Sequence, residues 1–160
     1  MTKREKATRI SRAVTLNTED RRKLRIARYG MNEVRDFLGN IGKSKSAYGY
    51  EGYEFIDDLD DDPDTMFTRR APRTCEFLRR LARRRPKEET RLDADTKRRL
   101  REAYETYKIL DDCLKAYAAQ YAYDDLRPFF DHFEFWSVER MIEEDAPATL
   151  AILREFARRK

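Results

Sequence analysis

Residues 100–121 have the sequence LREAYETYKILDDCLKAYAAQY, and this stretch decides the fold class. Its apolar and aromatic residues alternate at spacings of three and four, which is the period of one face of an α-helix. The stripe consists of Leu100, Ala103, Tyr104, Tyr107, Leu110, Leu114, Tyr117, Ala118 and Tyr121. Asp93 or Asp95 can cap such a helix, because a short side-chain oxygen accepts hydrogen bonds from the free N–H groups of its first turn. The stretch predicts a helix of about six turns.

A second stripe of the same period lies nearer the N-terminus. It consists of Leu24, Ala27, Met31, Val34, Leu38 and Ile41. Asn17 or Thr18 is the predicted cap, and acidic residues follow in the first turn, where the helix dipole favours negative charge. Gly39 and Gly42 are predicted to end this helix.

Prolines and acidic residues mark the remaining helices. Pro72 suits the first turn of a helix that runs to about Arg85, where Pro86 stops it. Pro128 opens another helix, whose apolar stripe covers 129–142, and Asp145 is the predicted cap of the last one. That last helix has the stripe Leu150, Leu153 and Phe156.

These patterns predict an all-α protein, a single-domain bundle of about five to six helices. The chain has 160 residues, a common size for one domain. Residues 1–16 form a predicted basic N-terminal arm and residues 17–160 the helical domain. Within that domain, 42–64 is a predicted loop that ends in the acidic linker DDLDDDPD at 57–64. We find no internal repeat in the sequence.

Composition excludes several classes of protein. No stretch approaches the length of apolar sequence that crosses a membrane, and the N-terminus lacks the apolar core of a secretory signal. We therefore expect an intracellular, cytoplasmic protein without a membrane partner, and organellar targeting remains an open alternative because Arg4, Arg9 and Arg12 alternate with apolar residues. The two cysteines, Cys75 and Cys113, lack metal-ligand spacing and are predicted to be buried thiols.

Charge is polarised along the chain although the net charge is only +4. Residues 1–28 and 69–91 each contain ten basic and three acidic side chains, whereas 57–64 and 124–145 are strongly acidic. Arginine outnumbers lysine by 25 to 10, and its planar guanidinium suits bidentate phosphate contacts. Two dense basic segments predict binding to a polyanion, with internal packing against the acidic segments as the alternative.

We expect the chain to be a small RNA- or DNA-binding subunit of a larger nucleoprotein assembly, directed at the backbone and largely independent of base sequence. The tyrosines and lysines of 42–55 suit such a partner, because aromatic rings stack on unpaired bases. The predicted contact residues are Arg21, Arg22, Arg25, Arg28, Lys43, Lys45, Arg73, Arg80 and Arg84. The alternative is a protein-interaction module or adaptor, with the acidic segments or helix 24–41 as its interface and a homo-oligomer as one form of it.

Only one pair of residues suggests catalysis. Residues 127–132 have the sequence RPFFDH, which begins with Arg127 and ends with His132. This stretch resembles the Arg-x4–6-His motif of HEPN-type ribonucleases, a family of small helical bundles that often act as dimers. The resemblance implies metal-independent RNA cleavage, with Arg127 on the phosphate and His132 as acid or base. It covers six residues, and Pro128 departs from the polar residue that the family favours after the arginine. We favour a protein that is not an enzyme, and we expect no metal and no cofactor.

Overall fold

The structure is a computed structural model that describes residues 15–47, 65–86, 90–123 and 140–159. Every element within these ranges is helical, apart from an isolated β-bridge between Thr15 and Arg91. The helices are α1 (Thr18–Ala47), α2 (Ala71–Leu81), α3 (Ala94–Tyr123) and α4 (Ala146–Ala157). A π-helical turn leads into α2 (Met66–Arg70) and another into α4 (Met141–Asp145). The predicted all-α class is confirmed.

α1 begins with a reciprocal cap between Asn17 and Asp20. The Asp20 N–H donates to the Asn17 side-chain oxygen at 2.8 Å, and the Asn17 N–H donates to the Asp20 carboxylate at 3.1 Å. The predicted cap at Asn17 is confirmed, but the predicted end of the helix is wrong. α1 continues through Gly39 to Ala47, because Gly39 stays helical and does not take the left-handed conformation that ends helices.

Prolines shape the entry into the two short helices. Pro72 lies in the first turn of α2, where its missing N–H leaves no hydrogen bond unmade, and Pro147 has the same place in α4. The π-helical turn before Pro72 is closed by the Ala71 N–H, which donates to the Met66 carbonyl. This wider turn keeps the chain helical where a proline ring would crowd the carbonyl four residues earlier.

Two predicted boundaries of the short helices are wrong. α2 ends at Leu81, several residues before Arg85 and Pro86. Asp145 makes no side-chain cap hydrogen bond to α4, since the chain is already helical before it. Sequence patterns located both helices, but the predicted ends differ from the observed ends by about one helical turn.

α3 is capped by Asp93, as predicted. The Thr96 N–H donates to the Asp93 carboxylate at 2.7 Å, and this hydrogen bond lowers the pKa of Asp93. The aspartate therefore stays ionised beside the positive end of the helix dipole.

The described helices enclose one apolar core. α1 packs against α2 and α4, and α3 packs against α4. Both predicted stripes point into this core wherever their side chains are described. The fully buried members include Leu24, Ala27, Met31, Val34, Leu38, Leu100, Ala103, Tyr107, Leu110, Leu114 and Tyr117. Cys75 and Cys113 are buried free thiols, as predicted, and burial raises the pKa of each to about 11.

Several predicted features lie outside the described residues. They include 1–14 of the basic arm, the 48–64 part of the loop and linker, and the predicted helix from Pro128 to 139. None of the described helices has the length and apolar character needed to cross a membrane.

Candidate functional site

A cleft of about 630 Å³ lies between α2 and α3. Its walls are formed by Thr65, Arg69, Arg70, Arg73, Thr74, Phe77, Arg99, Glu102 and Thr106. Four of these nine residues are arginines. They come from two separate parts of the chain. The π-helical turn before α2 and the first turn of α2 supply three of them, and the N-terminal half of α3 supplies Arg99.

The arginines at the rim form no ion pair with an acid among the described residues. Arg69 and Arg73 are exposed, and neither forms an ion pair with any described residue. The Arg99 guanidinium stacks 4.6 Å from the centre of the Phe77 ring, and none of the ion pairs among the described residues includes it. Stacking orients a guanidinium without cancelling its charge, so all three cations keep their charge with respect to the described residues.

The one acid in the cleft already has a partner. Glu102 accepts a hydrogen bond at 2.6 Å from Arg98, which also contacts Asp95 at 2.7 Å. The negative charge of Glu102 is therefore balanced by Arg98 and does not neutralise the arginines of the cleft. The described lining of the cleft, with four arginines and one glutamate, is therefore positively charged.

Arg70 has a structural role at the back of the cleft. Its Nε donates at 3.1 Å to the hydroxyl of Thr106, which is 1% exposed, so the bond joins the turn before α2 to the middle of α3. The Arg70 carbonyl in turn accepts a hydrogen bond at 3.0 Å from the Thr74 hydroxyl. These two bonds fix the wall on which Arg69 and Arg73 stand.

The predicted contact residues on α2 divide into three environments. Arg73 lines the cleft. Arg80 lies on the same side of the helix but contacts Glu76 at 3.3 Å, and the hydrogen bonds from Arg79, then Arg80, lower the pKa of Glu76 to about 2. Arg84 is exposed beyond the end of the helix, with no ion pair to a described residue.

The predicted contact residues on α1 are also dissimilar. Arg22 forms a two-pronged ion pair with Glu19 on its own helix, with its Nε 2.9 Å from the carboxylate. Arg25 donates at 3.0 Å to the carbonyl of Ala82, at the end of α2. Arg28 is exposed, while Arg21 is half-buried. Lys43 and Lys45 fall within the helical range of α1, but their side chains lie outside the described part.

The two basic segments of the sequence meet in space. The Leu16 N–H donates to the Thr90 carbonyl at 3.2 Å, next to the bridge between Thr15 and Arg91. The hydrogen bond from Arg25 to the Ala82 carbonyl joins the same two segments a second time. Residues 15–28 and the described residues of 69–91 therefore adjoin each other.

Sequence reasoning missed Arg69, Arg70 and Arg99 as site residues. Arg69 precedes Arg73 by four positions, so a helix predicted to start earlier would have aligned the two on one face. No comparable signal identified Arg99, since its place in the cleft depends on which helices pack together.

The described residues contain no group of three or more histidine, cysteine, aspartate and glutamate side chains that could hold a metal ion. Arg127 and His132 lie outside the described residues. Comparisons with protein-family models, curated proteins and solved structures found no match.

Proposed function

We propose that this protein binds nucleic acid through the phosphate backbone, as an intracellular helical-bundle subunit of a larger nucleoprotein assembly. The observation that supports the proposal most is the α2–α3 cleft, in which Arg69, Arg73 and Arg99 stand without a described carboxylate partner. Guanidinium groups in this state bind phosphate oxygens strongly and release counterions from the polyanion. Backbone contacts of this kind carry no base information, so binding is largely independent of sequence.

The predicted residues outside the cleft extend the proposed contact surface unequally. Arg28 and Arg84 are exposed and form no ion pair with described residues, so they are available to further phosphates. Arg22, Arg25 and Arg80 already have protein partners, and each must break or share that interaction to bind phosphate. We therefore assign the larger share of the affinity to the cleft.

The test measures the affinity of the purified protein for an RNA and a duplex DNA of about 30 nucleotides as salt rises from about 50 to 200 mM. We expect binding at low salt and a linear fall of the logarithm of the association constant with the logarithm of the salt concentration. Absence of binding to both nucleic acids at low salt contradicts the proposal.

A matched pair of double variants locates the contact. Arg69→Gln with Arg73→Gln removes two cleft charges, and we expect the salt slope to fall by about 0.7–0.9 for each phosphate that the variant no longer neutralises. Arg79→Gln with Arg154→Gln removes the same charge outside the cleft, from residues that contact Glu76 and Tyr104 respectively. Equal effects of the two double variants would show that net charge matters and the cleft does not.

A second candidate function is protein interaction through α1. Ile26 and Tyr29 are exposed there, Tyr29 by 69%, and they are the large apolar side chains that the described core leaves in solvent. Light scattering combined with size-exclusion chromatography distinguishes the candidates. The interaction module is supported if the unaltered protein is a dimer that does not bind nucleic acid and if Tyr29→Ser dissociates this dimer.

A further inference from the structure

Two stretches of the chain have the same local structure and a similar sequence. Residues 66–84 have the sequence MFTRRAPRTCEFLRRLARR and residues 141–159 have MIEEDAPATLAILREFARR, with identity at nine of the 19 aligned positions. Each begins with a five-residue π-helical turn that passes directly into an α-helix with proline in its first turn. π-helical turns are rare, so their recurrence at matching positions is a strong sign of relatedness.

The helices that precede these stretches also match. Residues 15–27 have the sequence TLNTEDRRKLRIA and residues 91–103 have RLDADTKRRLREA, and each opens a helix of 30 residues. Asn17 and Asp93, which occupy the same aligned position, both cap their helices through the N–H three residues on. The preceding residues, Leu16 and Leu92, are both 3% exposed.

The two halves also face each other symmetrically. The bridge joins Thr15 to Arg91, which are aligned positions, as expected when a two-fold axis relates the halves. Within each half the long helix packs on the short one, α1 on α2 and α3 on α4. Between the halves, α1 crosses α4 and α3 crosses α2, so these two crossings are counterparts.

The two crossings differ in how closely the helices approach. At the α1–α4 crossing, a Cβ added to Gly30 would collide with the Thr149 hydroxyl oxygen, so the Thr149 side chain packs directly on the backbone of α1. The counterpart of Gly30 is Thr106, and Thr106 lines the open cleft together with Thr74, the counterpart of Thr149. Without the glycine, α3 and α2 stand apart and Arg70 occupies part of the space between them.

The charges at the two crossings have also diverged. Arg69, Arg70 and Arg73 of the open crossing are replaced at the closed one by an acid, a second acid and an alanine. These counterparts are Glu144, Asp145 and Ala148. The closed crossing therefore lacks both the space and the positive charge that an anion needs.

We propose that the chain is a tandem duplication of one unit, a long helix followed by a π-helical turn and a short helix, and that only the open crossing has kept an anion-binding cleft. The duplication stands on the repeated structure, while the binding role of the open crossing rests on the proposed function. The repeat was missed in the sequence because the two copies lie about 75 positions apart and their identical residues are scattered along the helices.

The test exchanges the two short helices within the full chain. One variant places residues 146–157 at positions 71–82 and residues 71–82 at positions 146–157. If the two environments are equivalent, we expect a helical, cooperatively unfolding protein whose melting temperature falls by no more than about 10 °C. A control inserts the same twelve residues two positions later in each place, which turns their apolar stripes by about 200° around the helix axis. We expect the control to lose cooperative unfolding.

A smaller exchange keeps the test decisive if the loss of surface ion pairs unfolds the first variant. It swaps only buried or half-buried pairs, Cys75 with Leu150, Phe77 with Ile152 and Leu81 with Phe156. Cooperative unfolding of either exchange variant supports the duplication. The duplication is overturned if both exchange variants unfold as non-cooperatively as the register-shifted control.

The folding result does not depend on nucleic acid. In the full exchange Arg73 leaves the cleft for position 148, so a folded exchange variant that binds nucleic acid at least about tenfold more weakly supports the assignment of binding to the open crossing. Unchanged binding by that variant overturns this assignment while the duplication stands. If the unaltered protein binds no nucleic acid at all, the proposed function fails and the duplication is still decided by folding.

Discussion

The α1–α4 and α2–α3 crossings join equivalent helices, yet one is closed and the other contains a cleft. At the closed crossing the Thr149 side chain packs on the α1 backbone at Gly30, whereas at the open one the Arg70 side chain spans the space to Thr106. The close fit of Thr149 against α1 requires the absence of a Cβ at position 30, and the counterpart of Gly30 at the open crossing, Thr106, has one.

The electrostatic contrast between the crossings is equally sharp. Near the closed crossing Glu33 lies beside Asp145, and burial, together with the hydrogen bond to the Asp145 carboxyl, raises the pKa of Glu33 to about 7. At the open crossing the exposed Arg69 and Arg73 lack described carboxylate partners. One crossing thus has an excess of carboxyl groups and the other an excess of guanidinium groups, which is what separate structural and binding roles require.

The largest expected effect tests whether the two halves are equivalent in stability. Leu24 and Leu100 occupy aligned positions, and both are 0% exposed. We expect Leu24→Ala and Leu100→Ala each to lower the free energy of unfolding by about 2–5 kcal/mol, because each removes buried methyl groups and leaves a cavity. Urea denaturation measures both. A loss below about 1 kcal/mol at either site would show that it is not part of the core.

The next effect tests the closed crossing itself. We expect Gly30→Ala to lower the free energy of unfolding by about 1–3 kcal/mol, because the new methyl group collides with Thr149. Gly39→Ala is the matched control on the same helix, where an added Cβ meets nothing within 4 Å. It should stabilise the protein by about 0.5–1 kcal/mol, through the lower helix propensity of glycine. Equal effects at the two glycines would contradict a close helix approach at Gly30.

The smallest of these effects concerns the carboxyl pair at the closed crossing. Because the folded protein raises the pKa of Glu33 from its usual 4.5 to about 7, folding is favoured by the protonated form. Its stabilising contribution is complete below pH 4.5 and is lost as the pH rises through 7. The Asp145 carboxylate contributes to the rise in the pKa of Glu33, and the Arg140 guanidinium opposes it.

Glu33→Gln should remove this dependence and stabilise the protein at pH 8 by about 1 kcal/mol, a value reduced for the partial exposure of the site. Thermal unfolding between pH 4.5 and 8 measures it, with Glu143→Gln as the control at an exposed carboxyl in the π-helical turn that contains Asp145. Parallel pH profiles for the unaltered protein and Glu33→Gln would contradict a protonated Glu33.

Periodicity and capping predicted much of the fold. The stripes on α1 and α3 and the caps at Asn17 and Asp93 depend only on local sequence, and the structure confirms them. The extension of α1 through Gly39 was missed because a glycine ends a helix only when its backbone turns left-handed, which local sequence does not determine. The π-helical turns were missed because a proline marks the first turn of a helix without revealing whether helix precedes it.

The candidate site was less accessible to sequence reasoning. Arg73 was identified from the basic face of α2, but the basic face of one helix predicts only one wall of the cleft. Arg99 joins it only because α3 packs beside α2, which no local pattern shows. The difference between Gly30 and Thr106 is equally invisible until the two halves are aligned through their structures.

The most direct test of the central claim is arginine footprinting on the protein–nucleic acid complex. A dicarbonyl reagent modifies exposed guanidinium groups, and mass spectrometry measures the rate at each arginine with and without a saturating RNA of about 30 nucleotides. We predict that RNA slows the modification of Arg69, Arg73 and Arg99 in the open crossing. Arg140 and Arg154, near the closed crossing, should react at unchanged rates. Protection of Arg140 and Arg154 with none at the cleft arginines would contradict the account.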